Sequence, residues 1–293
     1  MKIGFIGLGI MGAPMVRNLL EQEYTVMVND LNKAAEEKVV GYGATAVGSL
    51  REMAEQAEAI ITMLPNGAIV KSVLFEGEDA LYPHLKAGQY LLDMSSLAPT
   101  DSIEINNRLS EKGVIFADAP VSGGEALAIT GELSVMMGCD EVHFEKLKEA
   151  AAPMAKSIIR VGDVGAGSTV KLANQIIVNT NIAALSEAVV LAKSFNIDLD
   201  AMFEAIRNGL AGSSVMEAKF PKMIAENYEP GGTININYKD LHNVTTTSDQ
   251  EKITLPLTNM VKEMYKSEII NGNGMNDHSG VIKYIERING KQG

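Results

Sequence analysis

The chain has a single cysteine, Cys139, and no tryptophan among its 293 residues. One thiol cannot close an internal disulfide, so burial alone must hold the fold, and a reducing compartment suits it. Cys139 follows Gly138 at a strand end with no cation within two residues, which predicts an inert thiol. Basic residues are also short, with 25 Lys and Arg against 37 Asp and Glu and a formal net charge of −12. Such a surface repels a phosphate backbone and excludes a nucleic-acid role. His84, His143, His242 and His278 are scattered without metal-ligand spacing, so no metal is predicted. The chain opens Met-Lys and runs straight into a strand-like segment, without the apolar region of a signal peptide. Its most apolar later stretch, 182–193, is interrupted by Ser186 and Glu187 and is too short to span a bilayer. These absences predict a soluble cytoplasmic protein with no membrane partner.

What remains is an ordinary globular composition, 46% hydrophobic and 21% charged. The 16 methionines read as core filler. The length favours two domains. Residues 1–162 alternate short apolar runs with amphipathic stretches, the signature of strand–helix–strand units around a parallel sheet. Strands are predicted at 2–6, 25–29, 59–63, 90–93, 114–117, 133–137 and 158–161, with helices between them at 11–21 and 101–112. The early runs are unbroken and rich in Ile, Val, Leu or Met, as for strands buried on both faces. Beyond Gly165 the strand signal nearly vanishes. One long helix is predicted over 168–195 with Ser168 as its N-cap, then helices at 200–209, 239–250, 256–270 and 279–288. The expected architecture is an N-terminal doubly wound α/β domain, 1–162, and an all-helical domain, 163–293.

Gly7-Leu8-Gly9-Ile10-Met11-Gly12 follows the first strand directly and enters a helix. Dinucleotide binding needs this context: glycines for a tight turn and for close approach of a pyrophosphate, a third for helix–strand packing, and a helix N-terminus facing the phosphates. Asp30 closes the second strand, 18 residues after Gly12, where a carboxylate can accept the adenosine ribose hydroxyls. Leu31 and Asn32 follow with no Arg, so a 2′-phosphate would meet a carboxylate; only Lys33 softens this. NAD is therefore preferred over NADP.

The remaining signals are individually ambiguous. Met63-Leu64-Pro65-Asn66 and Asp93-Met94-Ser95-Ser96 end parallel strands at the edge where such sheets bind ligands. Equally, Pro65 could only terminate a strand, and Ser95 or Ser96 could only cap a helix starting near Pro99. Ser122-Gly123-Gly124 offers a hydroxyl and exposed amides to a carboxylate, or is a simple chain reversal. Lys171 and Asn174 share one face of the long helix. Lys171 is a solvated lysine or, in a partly dry cleft, a proton donor to a carbonyl oxygen with Asn174 orienting the substrate. Lys239-Asp240 opens a later helix as an exposed ion pair or as a cofactor contact. His242, three residues on, reads as a structural neighbour rather than a base.

Together these residues resemble the β-hydroxyacid dehydrogenases, the group containing hydroxyisobutyrate dehydrogenase and distantly related to phosphogluconate dehydrogenase. The resemblance runs end to end through Gly-Leu-Gly-Ile-Met-Gly at 7–12, Asp-Met-Ser-Ser at 93–96, Asp-Ala-Pro-Val-Ser-Gly-Gly at 118–124, Gly-Ala-Gly-Ser-Thr-Val-Lys-Leu-Ala-Asn at 165–174 and Lys-Asp-Leu at 239–241. It implies a Rossmann-type domain joined by a long interdomain helix to the helical one. It also implies reversible hydride transfer between a nicotinamide cofactor, NAD with NADP possible, and a small carboxylate-bearing aldehyde or β-hydroxy acid. Lys171 would be the acid/base, Ser122, Gly123 and Gly124 would hold the carboxylate, and Asn174 would position the reacting end. Ser96, Lys239 and the Met63–Asn66 loop would touch the cofactor. A homodimer or homotetramer is implied as well.

Overall fold

The apolar runs of the first half assemble into one mixed sheet in the computed structural model, which describes residues 1–290. Its strands are β1 Lys2–Ile6, β2 Thr25–Asn29, β3 Thr45–Ala46, β4 Ala59–Thr62, β5 Tyr90–Asp93, β6 Ile115–Asp118, β7 Val121–Ser122, β8 Leu133–Gly138 and β9 Ala155–Gly162. The order is β3-β2-β1-β4-β5-β6-β8-β7, with β9 also on β8. The first six strands are all parallel and reproduce the doubly wound dinucleotide order, whose direction reverses between β1 and β4. β8 then runs antiparallel to β6 and β7.

Register explains how separate motifs reach one edge. Ile6 pairs with Asn29 and Thr62, Thr62 with Asp93, and Asp93 with Asp118. The segments that follow these residues all leave the sheet on its carboxyl side. Alternation supplies two cores: Ile3, Phe5, Ile61, Leu92 and Ala117 face one, while Ile6, Ile60, Leu91 and Phe116 face the other. Burial on both faces is why these strands are apolar throughout.

The helices of the first half are α1 Gly12–Glu21, α2 Lys33–Val40, α3 Leu50–Gln56, α4 Gly67–Phe75, α5 Pro99–Ser110, α6 Gly124–Thr130 and α7 Phe144–Ala151. Then come α8 Ala166–Ser194, α9 Leu199–Ile206, α10 Ser214–Ile224, α11 Ile234–Gln250, α12 Pro256–Ile270 and α13 Ile282–Ile288. By contact density the chain divides into Met1–Lys171 and Leu172–Gly293, a boundary inside α8. The second unit has its own core, including Ile182, Phe220, Leu241, Tyr265 and Ile282.

Several expectations change. Helix α8 begins at Ala166 and Ser168 lies inside it, because the acceptor for its first amides is Asp118, far away in sequence. Helix α11 begins at Ile234, capped by Thr233, so Lys239 lies in its second turn and does not open it. Helix α10 was not anticipated, and a 3₁₀ turn, His278–Val281, precedes α13. With 29 residues and a mean hydropathy of 1.4 in its most apolar window, α8 is long and apolar enough to cross a membrane. The expectation from 182–193 alone was too short. Ile182, Ala183, Val189 and Val190 of α8 pack instead into the core of the helical unit.

Candidate active site

The glycine loop is built as its spacing requires. Gly7 takes a left-handed φ of +98°, and a Cβ there would lie 2.3 Å from the Met63 carbonyl oxygen. A Cβ on Gly12 would lie 1.9 Å from the Gly7 carbonyl oxygen, so this glycine lets α1 pack onto β1. Around Gly9 a Cβ would meet nothing within 4 Å. Helix α1 has neither a side-chain cap nor an acidic residue in its first turn. Open space beside an uncapped helix N-terminus fits a dinucleotide pyrophosphate. Ile10 is exposed and Met11 half-buried at this point.

Asp30 follows β2 directly, and one of its oxygens accepts the Leu8 amide at 2.6 Å. That amide is therefore committed to holding the loop and is not open to an anion. The second oxygen accepts the Asn32 amide at 2.7 Å. A neighbour that the spacing did not reveal is Glu36, 5% exposed, which accepts the Asp30 amide at 2.9 Å. Its other oxygen holds Lys33 Nζ at 2.7 Å. Lys33, the one nearby cation, is thus matched by a carboxylate. Asn32 caps α2, and Leu31 is fully exposed.

The segments after β4 and β5 are tied together by Asp93. Its Oδ1 accepts Thr62 Oγ1 at 2.8 Å and Ser95 Oγ at 2.6 Å, and Ser95 Oγ in turn accepts the Leu64 amide at 2.9 Å. Ser95 therefore joins the two loops and does not cap α5, whose N-cap is Ala98. Half-buried Ser96 comes next. Asn66 spends its side-chain oxygen on the Ile69 amide as the N-cap of α4, so it shapes the loop. Met63 and Leu64 are half-buried, and Pro65 is exposed.

Ser122 ends β7 opposite Ser134 and is half-buried. Gly123 and Gly124 both take left-handed φ values, +138° and +66°, and both are exposed. The turn therefore needs glycine and leaves its backbone open to a ligand. Lys171, on the second turn of α8, is half-buried. Asp118, at the end of β6, is fully buried and accepts the Gly165 amide at 2.8 Å and the Ser168 amide at 2.6 Å. Burial pushes its carboxyl up to about 6, against the pull of these amides. Cys139 is fully buried, and burial raises its thiol to about 11 although Arg160 lies close by. Among the described residues no three His, Cys, Asp or Glu side chains are grouped to hold a metal.

Within the second unit a separate network orders Asn174 and Lys239. Asn174 Nδ2 donates to Gln175 Oε1 at 3.1 Å, and Gln175 Nε2 donates to Asp240 Oδ2 at 2.5 Å. The other Asp240 oxygen lies 3.0 Å from Lys239 Nζ. The pair is not an exposed one, since the side chain of Asp240 is 3% exposed and that of Lys239 27%. His242 is exposed, with its ring stacked beside Tyr238. Glu36 and Gln175 lie outside the motifs and were missed; Asp93 and Asp118 lie inside them without an assigned task, and for Asp240 only the pairing with Lys239 was read, not the bond from Gln175. The long-range partners of these residues come together only in the folded chain.

Comparison with known proteins agrees with this geometry. A family model described as the NAD binding domain of 6-phosphogluconate dehydrogenase matches residues 2–162. A second, described as NAD-binding of NADP-dependent 3-hydroxyisobutyrate dehydrogenase, matches residues 165–285. The chain is 37% identical over 290 residues to 2-(hydroxymethyl)glutarate dehydrogenase of Eubacterium barkeri, covering 99% of this chain and 96% of that one. It is 36% identical over 286 residues to 2-hydroxy-3-oxopropionate reductase of Escherichia coli (strain K12), covering 98% and 97%. A crystal structure of 3-hydroxyisobutyrate dehydrogenase from Salmonella typhimurium superposes with a TM-score of 0.87 at 33% identity, covering 97% and 99%. With both halves matched and the relatives aligned nearly end to end, the chain belongs to the 3-hydroxyisobutyrate dehydrogenase family of NAD(P)-dependent β-hydroxyacid oxidoreductases.

Proposed function

We propose that the protein reduces tartronate semialdehyde (2-hydroxy-3-oxopropanoate) reversibly to D-glycerate, with NADH as the preferred cofactor and Lys171 as the acid/base. The observation that carries the chemistry is a half-buried lysine on a helix anchored to the carboxyl edge of a dinucleotide-binding sheet. Support for the substrate comes from end-to-end similarity to 2-hydroxy-3-oxopropionate reductase. The stretches Ile60-Ile-Thr-Met-Leu-Pro-Asn66, Ser122-Gly-Gly-Glu125 and Ile206-Arg-Asn-Gly-Leu-Ala-Gly-Ser213 also resemble that reductase.

When bound, the nicotinamide gives a hydride to the aldehyde carbon or takes it back. Lys171, as ammonium, stabilises and then protonates the oxygen that becomes the alcohol. In oxidation neutral Lys171 accepts the hydroxyl proton, so that direction gains as pH rises. The Ser122 hydroxyl and the amides of Gly123 and Gly124 hold the substrate carboxylate, and Asn174 orients the reacting end. Gly7–Gly12, Asp30, Ser96, Lys239 and the Met63–Asn66 loop hold the cofactor. Asp30 and Glu36 place two carboxylates at the end of β2 with Lys33 already paired, which supports NAD over NADP. In this reading residues 1–162 bind the dinucleotide and 163–293 complete the substrate site. Exposed Ile177 and Leu191 on α8, with Phe195 just beyond it, support a homodimer or homotetramer.

A second reading is favoured by the similarity to 2-(hydroxymethyl)glutarate dehydrogenase, namely a longer β-hydroxy acid. The test is steady-state kinetics with tartronate, methylmalonate and succinic semialdehydes, each with NADH and NADPH. Oxidation of 2-(hydroxymethyl)glutarate and 3-hydroxyisobutyrate is measured alongside. The highest kcat/KM with tartronate semialdehyde and NADH is expected. A clear preference for another acid overturns the substrate, and no turnover on any of them overturns the enzymatic reading.

A further inference from the structure

We infer that Asp118 is a positioning residue for catalysis: its buried carboxylate locks the helix that carries Lys171 to the sheet edge beside the Ser122–Gly124 turn. The inference rests on the proposed role of Lys171.

Both oxygens of Asp118 are used by α8, with Oδ1 on the Gly165 amide and Oδ2 on the Ser168 amide. The Ser168 side chain also helps to hold that carboxyl down against the effect of burial. Ser168 Oγ also lies 2.9 Å from Ser102 Oγ, a hydrogen bond in which either hydroxyl can donate. All three side chains are buried: Asp118 and Ser102 at 0% and Ser168 at 1% exposure. This chain of bonds joins three elements, each adjoining a motif. Ser102 is on α5, which follows the Asp93–Ser96 segment. Asp118 ends β6, four residues before Ser122, and Ser168 lies one helical turn before Lys171 and on its side of α8.

The joint has no slack. A Cβ on Gly138, which faces Asp118 across the antiparallel bridge, would sit 2.3 Å from Asp118 Oδ1. A Cβ on Gly167 would sit 2.4 Å from the carbonyl oxygens of Asp118 and Met136. The first turn of α8 is therefore pressed backbone to backbone onto β6 and β8. An ionised carboxylate holding two amides by charge-assisted bonds costs desolvation, but it fixes direction better than a neutral cap. Lys171 reaches its target along a flexible stem, so the helix must set where that stem starts. A displacement of about 1 Å at the reacting atoms can cost about 100-fold in rate.

The test is a double-mutant cycle of Asp118→Asn and Lys171→Ala. It reads single-turnover rates with saturating NADH and tartronate semialdehyde, with NADH affinity measured by fluorescence. Asp118→Asn is expected to lower the rate about 30-fold with NADH affinity within about threefold of the parent. In the Lys171→Ala background the same change should alter the residual rate less than about threefold, since the group being positioned is gone. An equal loss in both backgrounds, or a rate within about threefold of the parent for Asp118→Asn, overturns the inference. Near-normal turnover of Lys171→Ala alone overturns the reading of Lys171 instead, so the two failures are distinct. If Asp118→Asn does not fold, Ser168→Ala keeps both amide bonds and removes only the side-chain link to Ser102 on α5. It should slow the rate about threefold or more in the parent and not in Lys171→Ala, and an unchanged rate overturns the inference.

Discussion

The carboxyl of Asp118 makes a specific statement about stability against pH. Burial raises it from 3.8 to about 6 in the folded chain, with the Ser168 and Gly165 amides opposing. Between these values the folded state keeps a proton that the unfolded chain has released. The stability this group contributes is therefore complete below about pH 4 and lost as pH rises through about 6, a total of about 3 kcal/mol. No discount for solvent applies, because Asp118 is 0% exposed. Asp118→Asn cannot titrate, so subtracting its stability from that of the parent cancels every other carboxylate, whatever constant packing difference the amide introduces. Urea unfolding of both proteins, followed by circular dichroism in steps from about pH 4 to 7.5, measures the difference. The parent should lose about 2.5 kcal/mol relative to the variant across that range, the rest having gone below pH 4. Two curves that stay parallel to within about 0.5 kcal/mol would refute the assignment of a buried, proton-retaining carboxyl beneath α8.

Other outcomes follow from the same geometry. Gly12→Ala would put a Cβ 1.9 Å from the Gly7 carbonyl oxygen, so the loop must shift. NADH affinity should fall at least about tenfold in a fluorescence titration. Glu36→Gln removes one carboxylate beside Asp30 and releases Lys33. The kcat/KM ratio of NADPH to NADH should rise about tenfold, and an unchanged ratio would place cofactor choice elsewhere. Cys139, fully buried with its thiol raised to about 11, should resist a disulfide-exchange reagent in the folded protein and react only on unfolding.

Much of this was legible from residue pattern, and what was not has physical causes. Strands β1, β2 and β5 stand where unbroken apolar runs placed them, since burial on both faces leaves no other composition. Strands β3 and β7 have two residues each, too few to carry a period. Helix α10 does carry a signal, with Met216, Phe220 and Met223 buried at helical spacing, but Pro221 inside it reads as a breaker. The glycine loop and Asp30 were readable because backbone geometry forces residue type there. Ser168 looked like a local cap, and the true acceptor, Asp118, lies 50 residues away. Lys239–Asp240 looked like a surface pair, and only the fold shows Gln175 drawing Asp240 inside. Contacts that depend on which elements pack together leave no mark in spacing.

The acidic surface adds a constraint of its own. A net charge of −12 cannot draw in an anionic cofactor and an anionic acid, so attraction has to be local. In the proposed reading it would come from the backbone amides at Gly9–Gly12 and Gly123–Gly124 and from the charges of Lys171 and Lys239, the Gly7 and Leu8 amides being taken by Asn29 and Asp30.

Turnover of Lys171→Ala set against its NADH affinity tests most directly whether this lysine moves the proton. With tartronate semialdehyde as substrate, kcat should fall by about 100- to 10,000-fold while the NADH dissociation constant stays within about threefold of the parent. Near-normal turnover, or a loss fully accounted for by weaker NADH binding, would contradict it.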